Sequence, residues 1–149
     1  MPDTTRRLAL RAAALLPLAA LGLATVARAQ PAAPQRHRLI IQVTDNDPDR
    51  WRMVLNNTRN AQTDVGGADK IELEIVAYGP GINMLKKESP EGERIAELAK
   101  SGVKFAACQN TMKGMKLTKD DMLTTVEYVS AGVTELMKKQ EEGWSYIRP

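Results

Sequence analysis

The chain has 149 residues with 21 basic and 18 acidic side chains, a formal net charge of +3, one cysteine (Cys108) and one histidine (His37). One residue of each type is too few for an internal disulfide or a zinc site, and we expect neither a metal nor a cofactor. Because His37 lies in a stretch rich in Pro, Ala and Gln, we expect no Ser-His-Asp triad either.

Residues 1–29 have the pattern of a secretory signal peptide. Three arginines within residues 6–11 precede an apolar run over residues 12–26, and residues 27–29 (Ala-Arg-Ala) have the small-x-small form of a cleavage site. The run is too short and too rich in alanine to span a membrane. Residues 5–11 also resemble a twin-arginine signal, with an ordinary signal peptide as the alternative. We predict export to the bacterial periplasm and no membrane contact after cleavage.

Cleavage after residue 29 would remove the excess of positive charge. The segment holds four arginines and one aspartate, so of the 21 basic and 18 acidic residues 17 and 17 remain, and the net charge becomes zero. A neutral mature chain gives no reason to expect binding to nucleic acid. We predict a disordered lead-in over residues 30–37, followed by one domain over residues 38–149.

Strand and helix patterns alternate from the start of this domain. Residues 39–43 (LIIQV) and 71–77 (IELEIVA) are short, apolar, β-rich runs, which predict the first two strands. Between them, apolar residues recur at i, i+3, i+4 and i+7 over residues 51–65. This spacing predicts an amphipathic helix, with Asp47 as its N-cap and a stop at the two glycines that follow.

The same alternation continues to the C-terminus. We predict a helix that begins at Ser89 and Pro90 and ends at Gly102, then a third strand over residues 103–107 (VKFAA) and a short helix capped by Asn110. The remaining predicted elements are a capping box of Thr118 and Asp121, a strand over 125–129, a helix over 133–142 and a strand over 144–147. Alternating elements predict an α/β fold with a largely parallel, five-stranded sheet and helices on both faces.

Ligands bind beyond the carboxyl ends of the strands in such sheets. Three segments meet there: residues 44–46, residues 78–81 and Cys108. A thiol just before a helix start experiences the positive end of the helix dipole, which favours the thiolate, and Lys113 and Lys116 would add positive charge. The alternatives are that Cys108 is a small buried hydrophobic residue, or that it forms a disulfide between subunits.

With these elements placed, residues 39–43, 76–81 (VAYGPG) and 102–112 (GVKFAACQNTM) resemble the DsrE/DsrF-like family. Residues 116–123 and 142–149 (EGWSYIRP) resemble the exported branch of this family. The resemblance implies a flavodoxin-like domain that assembles into trimers or hexamers. It also implies a role for Cys108, because a cysteine after the third strand carries sulfur as a persulfide in sulfur-relay members and passes it to a partner cysteine.

Together with the export signal, the resemblance implies a periplasmic sulfur carrier, similar to a sulfurtransferase, with Cys108 as the catalytic residue and a thiol-bearing protein as its partner. The residues predicted to line the pocket are Asn46, Tyr78, Gly79, Gly81, Asn110 and Thr111, of which the last two would donate hydrogen bonds. The alternative is a non-catalytic oligomeric module that binds a small ligand or a protein and in which Cys108 is structural.

Overall fold

A computed structural model of the chain describes residues 36–149, so the predicted signal peptide and most of the predicted lead-in lie outside the described residues. The described residues form a parallel five-stranded sheet in the order β4-β3-β2-β1-β5. The strands are β1 (His37–Val43), β2 (Ile71–Ala77), β3 (Lys104–Cys108), β4 (Val126–Val129) and β5 (Ser145–Ile147). The predicted parallel sheet of five strands is confirmed.

Helices cover both faces of this sheet, as predicted. They are α1 (Pro48–Asp64), α2 (Gly92–Lys100), α3 (Gln109–Gly114) and α4 (Gly132–Glu141), with short 3-10 helices at Ala68–Lys70, Gly79–Leu85 and Lys119–Asp121. On one face, Leu55 of α1 and Ile95 of α2 pack in the main core with Ile75 of β2. On the other face, Leu136 of α4 packs with Val76 of the same strand. Successive residues of a strand point to opposite faces, so one strand serves both cores.

The chain changes face after β4. The segments that follow β1, β2 and β3 contribute Trp51, Ile82 and Met112 to the main core, whereas α4 contributes Leu136 to the second core. The connection after β3 therefore lies on one face of the sheet, and the connection after β4 lies on the other. Where two neighbouring connections separate in this way, they leave a crevice at the carboxyl ends of the strands, and ligands bind there in open α/β sheets.

Two helix starts show where the cap signals of the sequence were right and wrong. The α1 helix begins at Pro48, and the Asp47 side chain accepts a hydrogen bond from the N–H of Asp49 at 2.9 Å, as predicted. The α2 helix begins at Gly92 instead of next to Ser89. The reason is that the Ser89 hydroxyl accepts from the N–H of Glu91 at 3.3 Å, within a turn that precedes the helix. None of the helices within residues 36–149 is long and apolar enough to cross a membrane.

Candidate functional site

Cys108 is both the last residue of β3 and the N-cap of α3. Its Sγ accepts a hydrogen bond from the N–H of Thr111 at 3.4 Å, which is the bond that a capping oxygen makes in an ordinary helix. The prediction of Asn110 as the cap is therefore wrong, because the sulfur takes that role and α3 starts at Gln109. The N–H of Asn110 donates to the carbonyl of Ser130 at 3.2 Å.

The surroundings of Cys108 lower the pKa of its thiol although the residue is only 5% exposed. Burial is the strongest single influence and raises the pKa of the thiol. The Thr111 hydroxyl and the N–H groups of Gly132, Thr111 and Asn110 around the sulfur together outweigh it, so that the pKa lies below its ordinary value. These donors are neutral, and neither of the two lysines predicted to help is among the principal causes.

The N–H donors come from two helices whose amino ends converge on the sulfur. Asn110 and Thr111 belong to the first turn of α3, and Gly132 is the first residue of α4. N–H groups in a first turn have no acceptor within their own helix, and they carry the positive end of the helix dipole. A thiolate at Cys108 is thus stabilised from two directions. No group of three or more His, Cys, Asp or Glu side chains within residues 36–149 is placed to hold a metal ion.

The Thr111 hydroxyl connects the thiol to the segment that follows β2. Its Oγ1 accepts a hydrogen bond from the N–H of Gly79 at 3.0 Å. Because this bond uses a lone pair of the oxygen, the single hydroxyl proton remains free to be donated to the sulfur of Cys108. Gly79 has φ of +52°, a left-handed conformation that glycine adopts at no steric cost. The structure therefore brings three predicted site residues, Gly79, Thr111 and Cys108, into one hydrogen-bonded chain.

Tyr78 directly follows β2, the strand beside the one that Cys108 ends. Ala77 of β2 pairs with Ala107 of β3, so the residues that follow them are side by side at the edge of the sheet. The Tyr78 ring packs with the second core, on the face that α4 covers. It also touches Gly132, where an added Cβ would lie 2.8 Å from Cδ1 of the ring. Burial raises the pKa of the Tyr78 hydroxyl, which therefore stays protonated at neutral pH.

The other two residues predicted to line the pocket are Asn46 and Gly81. Both make their contacts near the end of β1. The Oδ1 of Asn46 accepts from the side-chain amide of Asn83 at 3.1 Å. A Cβ added to Gly81 would lie 2.5 Å from the carbonyl oxygen of Val43, so this glycine allows the 3-10 helix to approach the strand. These contacts hold the segment after β2 against the sheet, and they are not contacts with Cys108.

Two residues at this edge, Gly132 and Thr44, were not among those predicted to line the pocket, although residues 44–46 were predicted to lie at this edge. Gly132 was not singled out, because a glycine before an amphipathic helix carries no sign of the side chain that it makes room for. Thr44 follows β1 next to Tyr78, whose N–H donates to the carbonyl of Val43 at 3.1 Å. Its Oγ1 is buried and has no hydrogen-bond partner among the described residues. A buried hydroxyl without a partner costs stability, which makes Thr44 a further polar group available at the carboxyl edge.

An open groove of about 530 Å³ runs along α4 and reaches Tyr78. Its lining residues are Gln42, Tyr78, Val133, Leu136, Met137, Gln140, Glu141 and Tyr146. Two of the apolar side chains are strongly exposed, Val133 at 62% and Met137 at 50%. At the wall formed by β1 and β5, the Tyr146 hydroxyl donates to Oε1 of Gln42 at 2.6 Å. The groove is therefore an apolar surface that begins beside the thiol site.

Comparisons with known proteins agree with this architecture. The solved structure of MTH1491, a protein of unknown function from Methanobacterium thermoautotrophicum, is 35% identical with a TM-score of 0.72, and the match covers 76% of this chain and 99% of that one. BT1422 from Bacteroides thetaiotaomicron, a conserved protein of unknown function, is 17% identical with a TM-score of 0.59, over 75% of this chain and 94% of that one. The ychN protein from E. coli is 10% identical with a TM-score of 0.57, over 77% and 100%.

The last two likenesses show the fold alone, and no relative is found among curated proteins. The model of the DsrE/DsrF-like family matches residues 19–149, beginning within the predicted targeting segment and covering the whole described domain. This match confirms the resemblance to the family that the strand and loop sequences indicated. The chain belongs to the DsrE/DsrF-like family.

Proposed function

We propose that this DsrE-like protein is a sulfur carrier in which Cys108 forms a persulfide. The observation that carries the proposal is the convergence of neutral hydrogen-bond donors on a single thiol at the carboxyl edge of a parallel sheet. Such donors favour the thiolate, which is the nucleophilic form of cysteine. The family resemblance supports the same role, because it implies a sulfur-carrying cysteine after the third strand.

The reaction has two steps that balance without an added oxidant. In the first, the Cys108 thiolate attacks the outer sulfur of a donor persulfide, R–S–SH; the S–S bond of the donor breaks and R–S⁻ leaves with the electron pair. In the second, an acceptor thiolate attacks the outer sulfur of the Cys108 persulfide, and the Cys108 thiolate leaves. The donors around Cys108 act in both steps, because they stabilise the thiolate first as nucleophile and then as leaving group.

Mass spectrometry of the intact protein tests this proposal. Purified wild type is incubated with a low-molecular-mass persulfide, and we expect one added sulfur that a reducing thiol removes. Cys108→Ser, checked by circular dichroism for an unchanged fold, should gain none. Since Cys108 is the only cysteine of the chain, no other thiol can supply the adduct. A wild type without the adduct, or an equal adduct on the serine variant, would contradict the proposal.

The second candidate is a non-catalytic binding module in which Cys108 is a structural residue. The observation in its favour is the 5% exposure of Cys108, since buried cysteines without a function are common. The rate of alkylation as a function of pH separates the two candidates. A reactive thiolate is alkylated at pH values below the ordinary pKa of a thiol, whereas a structural cysteine is labelled only after unfolding.

We also propose that the protein works in the periplasm as a homotrimer or homohexamer that passes sulfur to a thiol-bearing partner protein. The targeting pattern of residues 1–29 supports the location, and the exposed apolar side chains of α4 support self-association. Sequencing the N-terminus of the protein recovered from a periplasmic fraction tests the location. The expected first residue is Gln30, and an intact residue 1 in a cytoplasmic fraction would contradict export.

A further inference from the structure

The start of α4 approaches the sheet more closely than a side chain would permit. A Cβ added to Gly132 would lie 2.8 Å from Cδ1 of Tyr78 and 3.1 Å from its Cβ and Cγ. Carbon atoms normally pack about 3.5–4.0 Å apart, so one of the two residues would have to move. Tyr78 is held by the hydrogen bond from its N–H to Val43 and by its packing in the second core. Alanine at position 132 would therefore displace the start of α4.

Backbone conformation does not explain the glycine. Gly132 is not among the glycines with positive φ in residues 36–149, so an L-residue fits its dihedral angles. Glycine within a helix is less stable than alanine, because it loses more conformational freedom on folding. What sets position 132 apart is its contact with Tyr78, which is the neighbour of Cys108 across β2 and β3.

We propose that Gly132 is a positioning residue for Cys108: the missing side chain lets α4 begin beside the Tyr78 ring and close to Cys108, whose register partner on β4 is Val129. This inference deepens the proposed sulfur-carrier function, because it identifies what sets the reactivity of the same thiol. It concerns the thiolate fraction of Cys108, which is measured without any sulfur donor. The two proposals can therefore fail separately.

The test is the pH dependence of alkylation of native Cys108 by iodoacetamide in Gly132→Ala. We expect the midpoint of the profile to move to higher pH, with an unchanged rate at its alkaline plateau. Below the midpoint, the rate should fall about three- to tenfold, because one pKa unit changes the thiolate fraction about tenfold there. Gly114→Ala is the matched control, since a Cβ at Gly114 meets no atom within 4 Å, and it should keep the wild-type profile. An unchanged midpoint in Gly132→Ala would overturn the proposal.

A double variant tests whether the effect passes through Tyr78. Tyr78→Gly removes all the side-chain atoms that a Cβ at position 132 would meet, so adding Gly132→Ala in this background should leave the profile of Tyr78→Gly unchanged. An equal shift in both backgrounds would overturn the proposal. Loss of fold in the single variant, with recovery in the double variant, would make Gly132 a structural residue only and would also overturn it. Circular dichroism and unfolding midpoints report the fold of each variant.

Sulfur loading distinguishes this failure from that of the proposed function. A wild type that takes up no sulfur, but whose alkylation midpoint responds to Gly132→Ala, would refute the sulfur carrier and leave the positioning role in place. A wild type that takes up sulfur, with a midpoint insensitive to Gly132→Ala, would refute the positioning role alone.

Discussion

Cys108 shows how uncharged hydrogen-bond donors can lower the pKa of a buried thiol. Burial opposes the thiolate, and neutral donors from the backbone and from Thr111 reverse that effect. A hydrogen bond to a charged group contributes about 1.5–3 kcal/mol, so a few such bonds are enough to offset partial desolvation. Dissolved salt screens distant charges much more than short hydrogen bonds. We therefore expect the reactivity of Cys108 to depend little on ionic strength.

A side-chain substitution can remove the Thr111 hydroxyl, whereas the other donors around the sulfur are backbone N–H groups. Thr111→Val keeps the shape of the side chain but loses the hydroxyl that lowers the pKa of Cys108, so this pKa should rise. A higher pKa means less thiolate at any pH below it, and alkylation there should slow about tenfold for each unit of the rise. Thr111→Ser is the matched control, because it keeps the hydroxyl and should remain close to wild type. Equal midpoints for the valine and serine variants would show that the hydroxyl does not act on the sulfur.

At the scale of elements, periodicity predicted the strands and helices better than cap residues predicted their starts. The alternation of Ile71, Leu73 and Ile75 with glutamates gave β2 its observed bounds. Cap residues predicted a wrong helix start where their side chain has another partner. Ser89, for example, accepts a hydrogen bond within the turn that precedes α2. The start of α3 was missed for a different reason, because its N-cap is the sulfur of Cys108, and cysteine is not a usual capping residue.

One helix is tied to the sheet by a charge pair with limited access to water. Glu74 of β2 is 4% exposed, and its carboxylate lies 3.5 Å from the ammonium of Lys139 on α4. Lys139 also lies 3.8 Å from Glu135 and from Glu142, and 4.7 Å from the ring centre of Trp144. Burial raises the pKa of Glu74, and Lys139 opposes this only in part. The ionised carboxylate is thus less favourable in the folded than in the unfolded chain.

Substitutions of Glu74 and of Lys139 are expected to have opposite effects on the stability of the fold. A raised pKa makes the contribution of Glu74 to stability greatest at acidic pH, and that contribution is lost as the pH rises through the pKa. Glu74→Gln should therefore be as stable as wild type or more so at neutral pH, with a flatter dependence on pH. Lys139→Met leaves the buried carboxylate without its nearest cation and should lose about 3 kcal/mol. Urea unfolding at acidic and neutral pH measures both, with the exposed Glu127→Gln as control; equal losses from the two variants would contradict this account.

For the whole molecule, the rule of parallel sheets predicted more of the candidate site than any motif did. Because the carboxyl ends of parallel strands share one edge, Tyr78, Gly79 and Cys108 were expected together, and they do lie together. The rule does not say which residues meet across long stretches of chain. The bond from Gly79 to Thr111 joins residues 32 positions apart. The contact of Gly132 with Tyr78 depends on the path of α4, which no local pattern specifies.

The outer surface of α4 carries the last prediction, which concerns assembly. Val133 and Met137 lie one helical turn apart and are 62% and 50% exposed, next to Tyr146 in the same groove. Exposed apolar surface of this kind marks interfaces between proteins, and a second copy of the chain is the partner that the family resemblance implies. Met137→Glu places a charge in this surface, and burying an unpaired charge at an interface is strongly unfavourable.

We therefore expect wild type to be a trimer or hexamer by light scattering after size exclusion, and Met137→Glu to move towards the mass of a single chain. Met53→Glu is the matched control, since Met53 is 41% exposed on α1, away from the groove, and its substitution should leave the oligomer intact. A monomeric wild type would contradict the assembly itself, and an intact oligomer in Met137→Glu would place the interface elsewhere. If α4 lies in the interface, assembly covers the groove beside Tyr78, and a sulfur acceptor must then reach Cys108 from the carboxyl edge of the sheet.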